Sequence, residues 1–507
     1  MNQAERVLIN TLAQYVRIIC VIVITLYSTR IVLRELGSSD FGLYSLIGSV
    51  LAFLSFLNTT IMKTTQRYLS YYMGNADVGY QKIVLFNSVL LNFILSVVTC
   101  SIIVALMPYI VDGFLNIDAD RIAAAKILYV FMCISVFFTI NVSPFSAVFV
   151  AHENIVFSSI AYIAMSVMRL LAAIMICYIS DEKLLWYSAS MLLISCIEFL
   201  AYYFSTKTKY DECKRLFCIK FLDFKLMKSM MTFSFWNLYG TLCVMGRNQG
   251  YAFVINKFMT ITANAAYGIA NQVSGQISNF VFSLSNAISP IITKSQGAKD
   301  SKKMIFLSLA SSKLSVLMFS LIALPVIFNI EFILRVWLGN FPDYTAVFVI
   351  SIIIACFCDS YSVGLRTGIQ AVGKIRNFSL CVYTVKIISI PASIILLVTG
   401  VDKVYIFVPY IITELLGTFI TIAFFCIYAK LAFWNVISDS LKSLSAPIAC
   451  SLLLCSSICN YMEVGVGRFV VSTVVITVST MVAAYYCSLN KKERNTVKRL
   501  VLNFRMK

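Results

Sequence analysis

The chain has 507 residues, of which 60% are apolar and only 13% charged, and it carries a net charge of +18; its mean hydropathy is +0.86. A soluble chain of this size usually carries about a quarter charged residues and under half apolar ones, so a soluble globular protein is excluded. Eight prolines and 20 glycines exclude a collagen-like or low-complexity chain, and the single histidine, His152, leaves no histidine-built metal site. Of the 16 cysteines, all but Cys213 and Cys218 fall inside apolar runs. Without paired C-x-x-C motifs they read as small apolar residues, not as disulfides or zinc ligands.

Apolar runs bounded by polar turns recur from end to end. In chain order they are 9–33, 41–62, 83–110, 126–150, 155–179, 184–204, 229–255, 264–290, 304–330, 344–371, 377–398, 404–428, 443–460 and 469–488. Each is near the ~20 residues that cross a bilayer, and in hydrocarbon each can pair its backbone internally only as a helix. The first run is interrupted by Arg17 and lacks a small-residue cleavage site, so it reads as a retained span, not a removable signal. The expected fold is an all-α polytopic membrane protein of about 14 transmembrane helices.

Lysine and arginine alternate across these spans. The side bearing both termini carries 26, the opposite side 7, and the spans themselves 8. Positive charge stays on the cytoplasmic side, which predicts a multi-pass membrane protein with both termini inside. The net charge thus follows from topology and asks for no nucleic-acid partner. The basic linker 205–228 and the basic tail 489–507 are expected to lie on anionic lipid headgroups.

The two halves resemble each other. Asp40-Phe41-Gly42-Leu43-Tyr44 is matched by Ala266-Tyr267-Gly268-Ile269-Ala270, and Gly74-Asn75-Ala76-Asp77 by Gly297-Ala298-Lys299-Asp300. Phe114-Leu115 is matched by Trp337-Leu338, and Ala151-His152-Glu153-Asn154-Ile155 by Ala371-Val372-Gly373-Lys374-Ile375. The offset stays between 220 and 226 residues. A repeat of six helices enters the membrane the same way twice, so its halves should be related by an axis along the membrane normal. The expected organisation is a six-helix lobe over 1–204, the linker 205–228, a second six-helix lobe over 229–428 and two extra helices over 429–488. The lobes are expected to face a central cavity.

The stretch Leu36-Gly37-Ser38-Ser39-Asp40-Phe41-Gly42-Leu43-Tyr44 and the run Ala265-Ala266-Tyr267-Gly268-Ile269-Ala270-Asn271-Gln272-Val273 carry a family resemblance, as does Ala287-Ile288-Ser289-Pro290-Ile291-Ile292-Thr293-Lys294. With the fourteen spans, they resemble the polysaccharide-transporter branch of the multidrug/oligosaccharidyl-lipid/polysaccharide exporter superfamily. The resemblance implies a flippase of the bacterial cytoplasmic (inner) membrane, not an enzyme. It would translocate a lipid-linked (polyprenyl-pyrophosphate) oligosaccharide by alternating access for O-antigen, capsule or exopolysaccharide synthesis. Membrane lipids and a polysaccharide polymerase or glycosyltransferases would be its partners, and no resident cofactor is implied.

Charges within spans are expensive and mark function by default. The cations are Arg17, Arg30, Lys126, Arg169, Arg247, Lys313, Arg366 and Lys386, and the anions Glu198, Asp359 and Glu414. An excess of cations suits a pyrophosphate, whose oxygens arginine can grip bidentately. Arg17, Arg169 and Arg247 are the candidate substrate-binding cations, with pairing between helices as the alternative. At about 100° per residue Arg17 shares a face with Asn10, Gln14, Thr25 and Ser28. The seventh span aligns Asn237, Thr241 and Asn248; the eighth aligns Asn264, Asn271, Gly275, Ser278, Ser285 and Ser289. The second span offers the weaker stripe Ser45, Ser49 and Thr59. Asn10, Gln14, Asn237, Asn248, Asn271 and Ser278 are therefore candidate sugar-binding groups, although small polar residues also knit helices together.

Glu198 and Glu414 are candidates for coupling to a proton or a sodium ion, or else partners for buried cations. Asp359 and Arg366 lie seven residues apart, two turns along one straight helix, so direct pairing between them is not expected. The alternative reading is a cation-coupled multidrug or small-molecule exporter of the same superfamily. A membrane-embedded glycosyltransferase or polymerase would need a large outer loop or acids beside a soluble domain. The outer acids here, Asp112, Asp118 and Asp120, suit a solvated surface.

Overall fold

In the computed structural model, which describes residues 3–54, 56–109, 111, 121–214, 219–488 and 494, the chain is almost entirely helical. The acids Asp112, Asp118 and Asp120, the Phe114-Leu115 pair and nearly all of the basic tail lie outside the described residues, as do the side chains of Ser45, Ser49 and Thr59. Ten described helices are long and apolar enough to cross a membrane, or eleven when one bent pair counts as a single span.

The contacts divide the chain into two units, residues 8–235 and residues 1–7 with 236–507. The first unit opens with α1 (Gln3–Leu54), a helix broken at Gly37, whose φ of 74° and ψ of 174° are not helical. α2 (Phe56–Gly74) continues twelve residues past the apolar run that ends at 62, because its polar end still meets the helical period outside an apolar zone. α3 (Val78–Met107), α4 (Ile122–Ala151), α5 (Ile155–Met175) and α6 (Lys183–Lys209) complete the unit. Its core gathers Val32, Leu36 and Ile47 of α1 with Ile103, Leu128, Tyr129 and Ala173.

Polar groups fix the register between these helices. The Tyr129 hydroxyl donates to the Ile103 carbonyl at 2.9 Å, and the Asn141 amide to Ser96 Oγ at 2.9 Å.

The chain after α6 is tied down by side chains. Asn87 of α3 donates to the Phe221 carbonyl at 2.9 Å and accepts from the Asp223 N–H at 3.2 Å. His152, in the turn after α4, stacks on Tyr210 with ring centroids 4.0 Å apart and hydrogen-bonds Glu212. Asn154 donates to the Tyr210 hydroxyl at 3.2 Å. Burial pulls the Glu212 carboxyl upward, but the His152 imidazole and its own backbone N–H more than offset this and hold it below the ordinary value of 4.5. Burial pushes the neighbouring Cys213 thiol up to about 12.

The second unit takes most of α7 (Phe224–Phe258), then α8 (Ile261–Gly297), α9 (Ser301–Phe328) and the short α10 (Ile330–Leu338). It continues with α11 (Thr345–Ser360), α12 (Ser362–Val372), α13 (Arg376–Val398), α14 (Val408–Ala429), α15 (Phe433–Tyr461) and α16 (Val466–Ala483). Its largest core joins Tyr251, Tyr267, Phe319, Phe348, Ile352, Phe407 and Tyr410. Val7, from the first turns of the chain, packs with Ile288, Ile292, Met304 and Ala371 in a satellite cluster of the same unit.

The last two helices dock on α9. Leu324, Cys455 and Ile476 form one apolar cluster. Arg468 donates to the Phe328 carbonyl at 2.7 Å and to Asn329 Oδ1 at 3.2 Å, so a cation meets the negative end of α9.

The run 344–371, expected as one straight span, is instead two helices bent by 43° at Tyr361. A break inside an apolar layer leaves backbone groups to be satisfied by neighbours. The Cys358 carbonyl accepts from Thr418 Oγ1 at 2.8 Å, and the Leu365 N–H donates to Ser312 Oγ at 3.1 Å. Gly364 permits this approach, since a Cβ there would lie 2.4 Å from the Ser308 carbonyl oxygen and 2.5 Å from the Ser312 nitrogen.

Gly364→Val should therefore cost about 1–3 kcal/mol through overpacking. Gly275→Ala, where no atom lies within 4 Å of the added Cβ, should be neutral or slightly stabilising; thermal unfolding of both purified variants measures the contrast. Because the Glu212 pKa is lower folded than unfolded, its contribution is present above about 4.5 and is lost as the pH falls through the folded value. Stability should fall more steeply below about pH 4.5 in the wild type than in Glu212→Gln, read from unfolding midpoints across pH.

A buried charge network as the candidate functional site

The unit 236–507 holds five charged side chains from five helices in one network. Asp359 ends α11 and receives Arg366 of α12 bidentately, with both N–O distances at 2.8 Å. The bend at Tyr361 makes this possible by swinging α12 back toward the carboxylate. The straight-helix expectation that kept Asp359 and Arg366 apart is thereby corrected.

Lys386 of α13 lies between the two acids. Its Nζ is 2.9 Å from Asp359 Oδ1 and 2.7 Å from Glu414 Oε2. The other Glu414 oxygen accepts from Arg247 of α7. Arg247 also donates to the Tyr410 hydroxyl at 2.8 Å, and its guanidinium lies 4.0 Å from the centroid of that ring. The side chains of Arg247, Lys386 and Glu414 are each about 4% exposed. Three cations face two anions, which leaves a net charge of +1.

Such a network is costly to assemble, because Arg247, Lys386 and Glu414 have left water and Asp359 and Arg366 are half-buried. Its stability depends on each carboxylate oxygen having a cationic partner, which these contacts supply. Arg247 and Glu414 are thus joined to each other.

Other candidates of this unit lie around the same helices. Asn237 accepts from the Gln370 amide at 3.2 Å. The half-buried Asn248 receives the Tyr267 hydroxyl on its carbonyl at 3.0 Å, while its side-chain oxygen has no hydrogen-bond partner among the described residues. Asn271 and Ser278 are half-buried on α8. Tyr410 was not singled out by sequence reasoning, since one tyrosine among 27 carries no signal of its own.

In the unit 8–235 the picture differs. Asn10 is buried and donates to the Glu153 carbonyl at 2.8 Å, and Gln14 is buried with its Nε2 unpartnered among the described residues. Arg17 is half-buried, its guanidinium 5.0 Å from the Tyr162 ring centroid. Arg169 of α5 is exposed and Glu198 of α6 half-buried. Among the described residues neither Arg17 nor Arg169 has a carboxylate within 4.0 Å.

Glu414→Gln removes the negative charge beside Arg247 and Lys386 and leaves three cations with one carboxylate, so it should cost about 3–5 kcal/mol of unfolding free energy. Arg247→Met should cost less, because Lys386 still neutralises Glu414. Denaturant unfolding in detergent gives the order, and equal stability of both variants with the wild type would contradict the network as drawn.

The comparisons with known proteins agree with this architecture. The MatE family model matches residues 238–377, the stretch that carries Arg247, Asp359 and Arg366. No curated protein matches the chain. Among solved structures, a MATE transporter in a bent conformation is similar at a TM-score of 0.73 and 12% identity, over 87% of this chain and 97% of that one. An outward-facing multidrug resistance MATE family transporter of the MOP superfamily matches at 0.69 and 12%, over 86% and 97%. A MOP superfamily transporter from Pyrococcus furiosus, described by the reverse polarity of its binding pocket, matches at 0.66 and 13%, over 86% and 97%. The chain therefore has the all-α, polytopic membrane fold of the MATE transporters, with a MatE match inside its 236–507 unit.

Proposed function

We propose that the chain is an exporter of the bacterial inner membrane, with both termini cytoplasmic, that works by alternating access and moves an anionic lipid-linked oligosaccharide. The fold of MATE transporters supports the exporter. The observation that supports an anionic substrate is the state of the charges in the unit 8–235. There Arg17 and Arg169 have no carboxylate at ion-pair distance among the described residues, whereas the cations Arg247, Arg366 and Lys386 of the other unit are paired. A guanidinium on a membrane-spanning helix without a carboxylate beside it is a receptor for phosphate oxygens. Asn10 and Gln14, on the same face as Arg17, suit sugar hydroxyls, as do Asn237, Asn248, Asn271 and Ser278 in the second unit.

A second reading, a cation-coupled multidrug or small-molecule exporter, is the one the comparisons favour, because a named solved neighbour is a multidrug resistance transporter. That likeness is at 12% identity and speaks for the fold; the charges of this chain speak for the anion.

One experiment separates the readings. A deletion strain should accumulate lipid-linked sugars on the cytoplasmic leaflet, and Arg17→Gln or Arg169→Gln should each restore export at least about tenfold less well than the wild-type chain, a loss of about 1.4 kcal/mol, at equal membrane abundance. Unchanged lipid-linked sugars, together with resistance to cationic dyes on overexpression, would establish the second reading instead.

A further inference from the structure

The Lys386 ammonium sits where a free cation would sit. Its Nζ touches one oxygen from each of two carboxylates on different helices, at 2.9 Å and 2.7 Å. Arg366 and Arg247 hold the outer oxygens of the same carboxylates. Glu414 Oε2 has no cationic partner other than Lys386 among the described residues, so it depends on this ammonium alone. The lysine tail reaches that point past Gly417, where a Cβ would lie 3.3 Å from Lys386 Cε. The groove at Gly417 is thus filled by the alkyl chain of a residue 31 positions earlier in the sequence.

We propose that Asp359 and Glu414 form a monovalent-cation site whose resident cation is the chain's own Lys386 ammonium. The inference deepens the exporter reading by specifying its ion chemistry: this unit needs no added metal cation to neutralise its acids, and it acquires a demand for one when the ammonium is taken away. Removing Lys386 leaves one bare carboxylate oxygen on Glu414 and a half-satisfied one on Asp359 in a dry setting. A small cation then relieves what water cannot reach. Lys386→Ala also vacates the space of three side-chain carbons and the ammonium beside Gly417, which is room for a sodium or a methylammonium ion.

The test is thermal unfolding of the full-length purified protein in sodium chloride, choline chloride or methylammonium chloride at equal ionic strength. Wild type should unfold at the same temperature in all three. Lys386→Ala should unfold lower in choline, and sodium or methylammonium should restore half or more of the loss. Rescue by sodium alone identifies a metal-ion site, and rescue by methylammonium alone identifies an ammonium-selective one; either supports the proposal. Adding Glu414→Gln to Lys386→Ala should abolish the rescue. If Lys386→Ala does not survive extraction in choline, its elution profile after extraction in each salt replaces the melt, and a single monodisperse peak in sodium or methylammonium carries the same meaning. A variant that behaves alike in all three salts, or a wild type that sodium stabilises, would overturn the proposal. Both readouts concern the ion and not the substrate, so a failed export assay leaves this result standing, and the reverse also holds.

Discussion

Two carboxylates and three cations withdrawn from water fix the geometry of the 236–507 unit more tightly than any apolar contact in it. An ion in a low-dielectric layer carries a desolvation penalty of several kcal/mol, so it persists only where opposite charges meet it at hydrogen-bond distance. Here the acids come from α11 and α14 and the cations from α7, α12 and α13. No two partners lie on the same helix, and the pairing therefore specifies which helices are neighbours and in what register. The hydrophobic effect adds little to this in a membrane, where lipid is as good a solvent for leucine as another helix is.

The network depends on the bend at Tyr361, and the bend depends on hydroxyl groups. Thr418 takes over the Cys358 carbonyl and Ser312 the Leu365 N–H, each from a different helix. Ser362 donates in turn to Thr418 Oγ1 at 3.0 Å. The groups freed by breaking a helix are thus returned to hydrogen bonds by side chains that a hydropathy profile counts as minor defects. In this chain the break at Tyr361 is met by hydroxyl partners at the Cys358 carbonyl and the Leu365 N–H.

Much of this was legible in the sequence, for identifiable reasons. The helices follow from apolar runs, because hydrocarbon leaves the backbone one option. The runs 229–255 and 264–290 read as apolar on the same footing, although α7 and α8 carry more polar residues than most of the other spans, and the lysine and arginine asymmetry serves to orient the spans. Arg247, Glu414, Asp359, Arg366 and Lys386 were visible as charges in spans. Their partners were not, since pairing depends on which helices touch, and periodicity within one helix does not contain that. The Asp359–Arg366 pair was missed for a sharper reason: a straight helix was assumed across Tyr361, where Gly364 and the flanking serines hinted at a break. In the other unit, the extension of α2 to Gly74 was hidden because its last turns leave the apolar layer while keeping the helical period.

Val7 belongs, by its packing, with Ile288, Ile292, Met304 and Ala371, residues that lie 281 to 364 positions further along the chain. This part of α1 therefore has no packing partners of its own until α8, α9 and α12 are present. Closing so long a loop is an entropic burden that local helix formation cannot lighten. The unit is thus completed by a chain-spanning contact that no local segment can form by itself.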